Sequence, residues 1–336
     1  MNLPLISIIL PVYNGEKFLD CAIKSCVNQT YSNIEIIIIN DCSTDDSLNI
    51  AKKWGEVDNR INIITNSENL KLPASLNRGH EAAQGEFITW TSDDNIFQPN
   101  AILKMLEELE ARSADLVYCD YLIINEKSDI IGMSRLKPIE YLLFYGVIGA
   151  CFLYRKEVYK RNSGFKENLF LVEDYDFWLR ALKHSNFVKI DIPAFYYYRY
   201  HPASLTERMK EDKELKMSFL ENLNKLYDEL FEVPLKNKQA LIDYLIDRFK
   251  NGPHNNIYPL LSKSFFEDLE KCSSVFHGLS FLKIKRIIIN DCIESILKNK
   301  KYQNFKTFNR LHKVASREIL RLPIERYIVL VKKVIF

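Results

Sequence analysis

The chain has 336 residues, of which 47% are hydrophobic and 27% are charged, an ordinary balance for a protein with a sizeable core. Its 10 glycines and 11 prolines are too few for long flexible linkers, which excludes a largely disordered chain. The seven cysteines are scattered, odd in number and without a CxxC pair, which indicates reduced thiols rather than a disulfide framework. This length suits two domains, or one large domain with an appendage.

No segment for export or membrane insertion is evident in the sequence. The first apolar run lacks both a basic leader and a small-residue cleavage site, so it is not typical of a signal peptide. The longest uncharged stretch, residues 141–154, is shorter than the roughly 20 residues that cross a bilayer. We therefore expect a cytoplasmic protein.

Strands and helices alternate along the first two hundred residues. Short apolar, β-branched runs predict strands at LISIILP, IEIIIIN, INIIT, FITWT and DLVYCDYLII, which begin at residues 5, 34, 61, 87 and 115. Helical spacing or helix-forming composition predicts helices near residues 19–27, 74–83 and 101–111. This order predicts an α/β fold with a mostly parallel sheet and helices on both faces.

Beyond about Leu205 the strand signals fade and helix formers dominate. We therefore predict an α/β domain over residues 1–205 and a helical region over residues 206–336. Breakers at residues 251–253 and at Pro323 predict interruptions of that helical region.

Charge is distributed unevenly along the chain. Residues 283–336 contain 14 Lys or Arg and 4 Asp or Glu, a net charge of +10, whereas the whole chain has a net charge of +2. The last segment, EILRLPIERYIVLVKKVIF, has two interpretations. It forms either a basic amphipathic surface for an anionic membrane or a packed helix with a solvated basic face. Nucleic acid is not expected as a partner, because no recognisable binding motif accompanies these basic residues.

Four polar clusters carry the candidate chemistry. PVYNGE, NDCSTDD and TSDDN follow the first, second and fourth predicted strands, and EDYDFW opens a predicted helix that ends near Lys183. Parallel sheets bind ligands beyond the carboxyl ends of their strands, so these clusters predict a site at that edge. Each cluster alone has a simpler explanation, such as an Asx turn or acids that compensate a helix dipole.

In combination and in order, these motifs resemble the bacterial family 2 glycosyltransferases, which have the nucleotide-sugar-binding GT-A fold. The resemblance covers about residues 4–206. It runs through SIILPVYNGEKFLDCAIKSCVNQTYSNIEIIIINDCSTDDSL, NRGHEAAQGEFITWTSDDN, EDYDFWLR and YRYHPASLT. It implies an inverting transfer of a sugar from a UDP-sugar to a hydroxyl of a glycan or lipid-linked acceptor. The expected setting is cell-surface polysaccharide or glycan synthesis in the cytoplasm, with possible peripheral contact at the membrane's inner face.

The resemblance also assigns the nucleotide-binding residues. It implies that Pro11, Tyr13 and Glu16 line the nucleoside pocket and that Asp41 accepts a hydrogen bond from the uracil ring. A carboxylate there favours a ring N–H, so uracil suits it and cytosine does not. Asn69 and Arg78 match positions near the base and the phosphates, where an arginine fork suits phosphate oxygens.

A Mn²⁺ or Mg²⁺ ion is implied at Asp93, with His201 as a further ligand and Asp94 in a secondary role. The sequence departs from the family's Asp-x-Asp-Asp pattern, because Thr91 stands at the first position. We expect the hydroxyl of Thr91 or Ser92 to replace that carboxylate. A second departure is Lys71, where a glycine is common in the family.

Asp174 is implied to be the general base that removes the acceptor proton, with Glu173 in a secondary role. One base without a leaving-group acid favours a single inverting displacement. Two alternatives remain open. A nucleotidyltransferase would carry a glycine-rich phosphate loop, which PVYNGE is not. A non-catalytic sugar-nucleotide-binding or scaffold protein would account for the missing aspartate but not for a retained base.

Overall fold

The computed structural model describes residues 3–191, 195–231, 234–250 and 256–335. The chain forms two compact units, one of residues 1–139 and 146–223 and one of residues 140–145 and 224–336. The boundary near residue 205 stays a prediction, and the predicted interruption at residues 251–253 lies outside the described residues.

The first unit contains every described strand. The strands are β1 (Ile6–Val12), β2 (Ile34–Asn40), β3 (Ile61–Thr65), β4 (Phe87–Trp90), β5 (Ile96–Phe97), β6 (Leu116–Tyr118), β7 (Tyr121–Ile124), β8 (Ile130–Ser134), β9 (Phe152–Arg155), β10 (Phe187–Lys189) and β11 (Tyr196–Arg199). The first seven helices are α1 (Leu19–Val27), α2 (Ser47–Val57), α3 (Lys71–Ala82), α4 (Ala101–Ala111), α5 (Lys156–Asn162), α6 (Glu173–Ala181) and α7 (Leu205–Glu211).

The main sheet has seven strands in the order β10-β6-β9-β4-β1-β2-β3. All neighbours pair in parallel except β9, which runs antiparallel to β4 and β6. Strands β1 and β2 are buried along almost their whole length, as expected for β-branched strands covered on both faces. The prediction of a mostly parallel sheet is confirmed.

Helices cover both faces of this sheet, as predicted. On one face, Ile8 and Leu10 of β1 belong to a core with Ile23 of α1 and Met105 of α4. On the other face, α3 lies so close that a Cβ on Gly79 would be 2.4 Å from Ile9 Cγ2. Glycine at this position therefore lets α3 approach the sheet that carries the candidate site.

The structure corrects the prediction of a single fifth strand from Asp115. That run forms β6 in the main sheet and β7 in a second sheet of order β5-β11-β7-β8. Between them, the Asp120 carboxylate accepts from Leu136 N over 2.8 Å and pairs with Lys189 Nζ over 2.9 Å. These bonds hold Asp120 where the chain leaves one sheet for the other. The apolar run alone does not reveal this change of sheet.

The rest of the described chain consists of helices and the loops that connect them, as predicted. The helices are α8 (Lys213–Leu230), α9 (Lys238–Phe249), α10 (Lys263–Ser273), α11 (Phe281–Lys298), α12 (Phe305–Leu320) and α13 (Ile324–Ile335). Pro323 stands between α12 and α13, where an interruption was expected. No helix of the described residues is long and apolar enough to cross a membrane.

Candidate active site

The loops that follow β1 and β2 are fastened to each other by reciprocal hydrogen bonds. Gly15 N donates to Ser47 Oγ over 2.9 Å, and Glu16 N donates to Asp45 Oδ2 over 3.0 Å. In the opposite direction, Asp46 N donates to Glu16 Oε2 over 2.9 Å. Glu16 was predicted to line a nucleoside pocket, and the structure shows that it also ties the two loops together.

Tyr13 lies at the carboxyl end of β1 and is 49% exposed, although Val12 before it is buried. Pro11 is partly buried within the strand. The chain turns sharply after Tyr13, where Asn14 has a φ of 54°. An exposed aromatic ring beside such a turn provides a flat surface on which a base can stack.

The Asp41 carboxylate lies at the start of α3 and is 4% exposed. Its Oδ1 accepts from Asn66 Nδ2 over 2.7 Å and from Leu70 N over 2.8 Å. Its Oδ2 accepts from Lys71 N over 2.9 Å. An ionised carboxylate has about four acceptor positions, so one position on Oδ2 remains for a further donor. Asp41 therefore anchors α3 and still has capacity for a ligand N–H.

Asn66 links Asp41 to Arg78. Its Oδ1 accepts a hydrogen bond from Arg78 Nη1, while its Nδ2 donates to Asp41. Asn66 is 1% exposed and is not among the residues predicted from the sequence. The available signal was its position, because it is the first polar residue after β3. Asn66 thus holds two predicted nucleotide-binding residues in one hydrogen-bonded cluster.

Lys71 occupies a left-handed backbone conformation with a φ of 71°. Its N–H donates to Asn69 Oδ1 over 3.1 Å as well as to Asp41. Glycine adopts this conformation at little cost, whereas a residue with a Cβ is strained there. The departure at Lys71 therefore keeps the hydrogen bonds of the turn but adds backbone strain.

Asp93 packs directly against the loop after β1. A Cβ on Gly15 would lie 2.2 Å from Asp93 Oδ2, so only glycine permits this approach. Burial and the neighbouring Asp94 carboxylate raise the pKa of Asp93 to about 7, against the opposing effect of a hydrogen bond from the Tyr13 N–H. The loops after β1, β2 and β4 therefore meet at one edge of the sheet.

Asp94 and His201 form the second half of this cluster. His201 Nε2 lies 2.9 Å from Asp94 Oδ2, and both side chains are mostly buried. Asp94 Oδ1 is buried and has no hydrogen-bond partner among the described residues. Two adjacent carboxylates with an unsatisfied oxygen form an environment that favours a cation.

A divalent cation fits these residues as a site completed by substrate. Within the described residues there is no group of three or more His, Cys, Asp or Glu side chains that could hold a metal ion without other ligands. Mg²⁺ and similar ions are often held by one or two carboxylates together with substrate phosphates. The unpartnered Asp94 Oδ1 and the raised pKa of Asp93 are consistent with such a site.

The hydroxyl of Thr91 is already engaged. Its Oγ1 lies 2.6 Å from the Tyr196 hydroxyl, and Thr91 is 2% exposed. Ser92 is partly exposed. Of the two hydroxyls considered as replacements for the missing carboxylate, Ser92 is therefore the accessible one.

Arg199 is a further residue of this region that is not among those predicted from the sequence. It is 1% exposed, and its guanidinium donates to the carbonyl oxygen of Asp94 over 2.9 Å. It also donates to the Asn125 carbonyl over 3.0 Å and to Ser128 Oγ over 3.0 Å. A buried cation with these partners positions the loop after β4 against the turn between β7 and β8.

Glu173 and Asp174 begin α6, two residues after Leu171, which has a φ of 78°. Burial and the Asp174 charge raise the pKa of Glu173 to about 8, and burial also raises the pKa of Asp174. Glu173 Oε2 is buried without a hydrogen-bond partner among the described residues. The strained Leu171 and this pair of acids are typical of a functional site.

Asp176 differs from its two neighbours because it is a structural residue. It is 2% exposed, and its carboxylate pairs with Arg180 over 2.6 Å and with Lys166 over 3.6 Å. Asp174 is partly exposed and pairs with no basic side chain in the described structure. Of these two aspartates, only Asp176 is therefore paired with basic side chains among the described residues.

The mostly parallel sheet covered by helices on both faces is the architecture of the GT-A class. Residues 7–163 match the family described as Glycosyl transferase family 2. An uncharacterized glycosyltransferase of Rickettsia typhi is 32% identical over 266 residues, which cover 74% of this chain and 81% of that protein. The putative glycosyltransferase EpsH of Bacillus subtilis is 33% identical over 249 residues, covering 67% of this chain and 72% of EpsH. The chain belongs to glycosyl transferase family 2 and is a glycosyltransferase.

Solved structures support the same fold. The crystal structure of S. aureus TarS 1–349 in complex with UDP aligns with a TM-score of 0.57 and 18% identity, covering 97% of this chain and 90% of that one. A mannosyltransferase from Pyrobaculum calidifontis, in complex with GDP-Man and Mn²⁺, aligns with a TM-score of 0.53 and 12% identity, covering 94% of this chain and 87% of that one. At these identities the likeness shows the GT-A fold alone.

Proposed function

We propose that this protein transfers a sugar from a UDP-sugar to an acceptor hydroxyl, with a divalent cation beside the diphosphate. The observation that carries the proposal is the joining of three loops at the carboxyl edge of the sheet. Gly15 contacts Asp93 and also donates to Ser47, so the loops after β1, β2 and β4 meet at this edge. The UDP and UDP-GlcNAc complexes of TarS support a uridine nucleotide as donor.

Asp41 and Tyr13 bind the nucleoside in this proposal. The remaining acceptor position on Asp41 Oδ2 takes the ring N–H of uracil, which cytosine lacks. The exposed ring of Tyr13 provides a surface for the base. Arg78, held by Asn66, is the basic side chain of this cluster and faces the nucleotide's negative charge.

Asp93, Asp94 and His201 would hold Mn²⁺ or Mg²⁺ beside the donor's diphosphate. The ion would supply Lewis-acid stabilisation of the departing UDP. Ser92 offers its hydroxyl in place of the carboxylate that Thr91 replaces. Arg199 keeps the loop in position through its bond to the Asp94 carbonyl.

Asp174 acts as the general base. It takes the proton of the acceptor hydroxyl while the acceptor oxygen forms a bond to the anomeric carbon. The bond from that carbon to the diphosphate oxygen breaks, and UDP leaves with the electron pair. A single displacement of this kind inverts the anomeric configuration. The raised pKa of Asp174 makes it a stronger proton acceptor than an ordinary aspartate.

The proposed acceptor is a glycan or a lipid-linked sugar of cell-surface polysaccharide synthesis. We place the protein in the cytoplasm, in peripheral contact with an anionic membrane. The net charge of +10 over residues 283–336 supports this contact.

The donor proposal is tested by thermal unfolding with UDP in the presence of Mn²⁺ or of EDTA. We expect UDP with Mn²⁺ to raise the melting temperature, and UDP with EDTA to raise it much less. CDP with Mn²⁺ is the matched control for base recognition and should stabilise less than UDP. Equal stabilisation by UDP with Mn²⁺ and with EDTA would remove the metal from the mechanism, and equal stabilisation by CDP would remove uracil recognition.

A further inference from the structure

The last helix, α13, has one buried side and one exposed side on which apolar and charged residues are mixed. Leu330 and Val334 are buried at 0% and 6% exposure within the second unit. On the opposite side, Ile324, Ile328 and Val329 are 77%, 44% and 46% exposed. Ile324 and Ile328 lie one helical turn apart and form an exposed apolar strip, and Val329 lies beside it, across the exposed side chains of Glu325 and Lys332.

Three lysines surround a hollow beside this strip. Lys300, Lys332 and Lys333 line it together with Gln303 and Val329, and its volume is about 570 Å³. Val329 is both one of the exposed apolar residues of α13 and part of the wall of the basic hollow. The strip and the hollow are therefore neighbours on the same helix.

These lysines differ from neighbouring basic residues in their lack of acidic partners. Lys298 and Arg326 both pair with Glu294, the former over 3.2 Å. None of the three hollow lysines pairs with a carboxylate in the part of the chain that the structure describes. Three like charges around one hollow repel each other unless an anion binds between them.

We propose that the exposed side of α13 and the lysine hollow together dock on an anionic phospholipid membrane. The apolar side chains of Ile324, Ile328 and Val329 enter the interface between headgroups and acyl chains. Lys300, Lys332 and Lys333 bind lipid phosphate groups in and around the hollow. The proposal assigns a surface to the membrane contact proposed above and rests on that contact, not on the identity of the sugar donor.

Charge favours a membrane over a second copy of this chain as the occupant. Residues 283–336 have a net charge of +10, so two such surfaces placed face to face would repel each other. An anionic bilayer instead supplies the opposite charge and an apolar layer at the same interface. Apolar side chains flanked by long basic ones are typical of helices that lie in that interface.

The test is flotation of the full chain with vesicles of phosphatidylcholine alone or containing about 30% phosphatidylglycerol. We expect binding to the anionic vesicles that weakens steeply as salt is raised from about 0.05 M to 0.5 M. Replacing Lys300, Lys332 and Lys333 by Gln should weaken binding about 100-fold, since each lysine near an anionic surface contributes about fivefold. The matched control replaces three exposed lysines of the first unit, Lys24, Lys52 and Lys216, by Gln and should bind as wild type.

A second pair of variants tests the apolar strip. Ile324→Ser with Ile328→Ser should weaken vesicle binding at least tenfold and leave UDP binding unchanged. Ile328→Trp places an indole on the strip, and its fluorescence should shift to the blue when anionic vesicles are added. The other tryptophans, Trp54, Trp90 and Trp178, lie in the first unit and set the background.

Several outcomes would overturn the proposal. These are absent binding to anionic vesicles, equal binding to neutral ones, or an unaltered affinity after the triple lysine replacement. Self-association that the two serine replacements abolish, without vesicle binding, would assign the surface to a second copy. Loss of vesicle binding with retained UDP stabilisation separates this surface from the donor site, so failure of one proposal leaves the other standing.

Discussion

Asp41 and Arg78 are both hydrogen-bonded to one buried side chain, Asn66, which donates to Asp41 Oδ1 over 2.7 Å and accepts from Arg78 Nη1. Neither end of the Asn66 amide is free, and its orientation follows from its partners. A carboxylate requires the donor end and a guanidinium requires the acceptor end. The same amide therefore positions both Asp41, which is predicted to bind the base, and Arg78, which is predicted to lie near the phosphates.

The first prediction concerns this amide. Asn66→Ala should lower the free energy of unfolding by about 1–3 kcal/mol, because it leaves buried polar partners unsatisfied. Chemical denaturation measures the loss. Asn49→Ala is the control, because Asn49 makes one exposed side-chain bond, to Asp46, and its loss should cost less than about 0.5 kcal/mol. Equal effects of the two substitutions would show that the Asn66 cluster contributes no special stability.

The second prediction concerns Asp174. Asp174→Asn keeps the shape of the side chain but cannot accept the acceptor's proton, so transfer should slow by about 10²–10⁴-fold. UDP affinity and melting temperature should remain close to wild type. Asp176→Asn should instead lower the melting temperature, because Asp176 pairs with Arg180 and Lys166. An Asp174→Asn enzyme that still transfers sugar within a few-fold of wild type would disprove the assignment.

The third prediction concerns stability against pH. Burial and Asp174 raise the pKa of Glu173 from 4.5 to about 8, so the folded protein retains a proton that the unfolded chain has lost in this interval. Stability from this group is therefore greatest at low pH and falls as pH rises towards about 8. Glu173→Gln should flatten the decline in unfolding free energy between pH 6 and 8.

The control for this titration is Glu56→Gln, which changes an exposed glutamate in α2. We expect the unfolding free energy of the Glu56→Gln variant to vary with pH as that of the wild-type protein does. If Glu173→Gln also leaves the slope unaltered, Glu173 is already ionised in the folded protein over this pH range.

The fourth prediction concerns backbone strain at Lys71. Lys71→Gly should raise the free energy of unfolding by about 0.5–1 kcal/mol, since glycine relieves the left-handed strain and keeps the N–H donated to Asp41. Lys52→Gly, in the interior of α2, should lower it by about 1 kcal/mol. If Lys71→Gly does not raise the free energy of unfolding, the Cβ of Lys71 causes no strain in this turn.

Local pattern was sufficient for much of the fold and for the general position of the site. The runs that form β1 to β4 are apolar and β-branched, and the spacing of α1 is helical, so each element follows from a short window of sequence. The polar clusters at the ends of β1, β2 and β4 were placed at one edge because parallel strands end together.

The tertiary structure alone decided which polar groups satisfy one another. Asn66 bonds to Asp41 across 25 positions, and Arg199 bonds to Asp94 across 105 positions, distances over which no local pattern operates. The run from Asp115 divides between two sheets because its partners, β9 and β11, come from distant parts of the chain. Residue types at strand ends thus follow from the sequence. Which buried acids and amides are paired depends on contacts that form only when separate segments pack together, because a buried polar group must find its partner wherever the fold brings one.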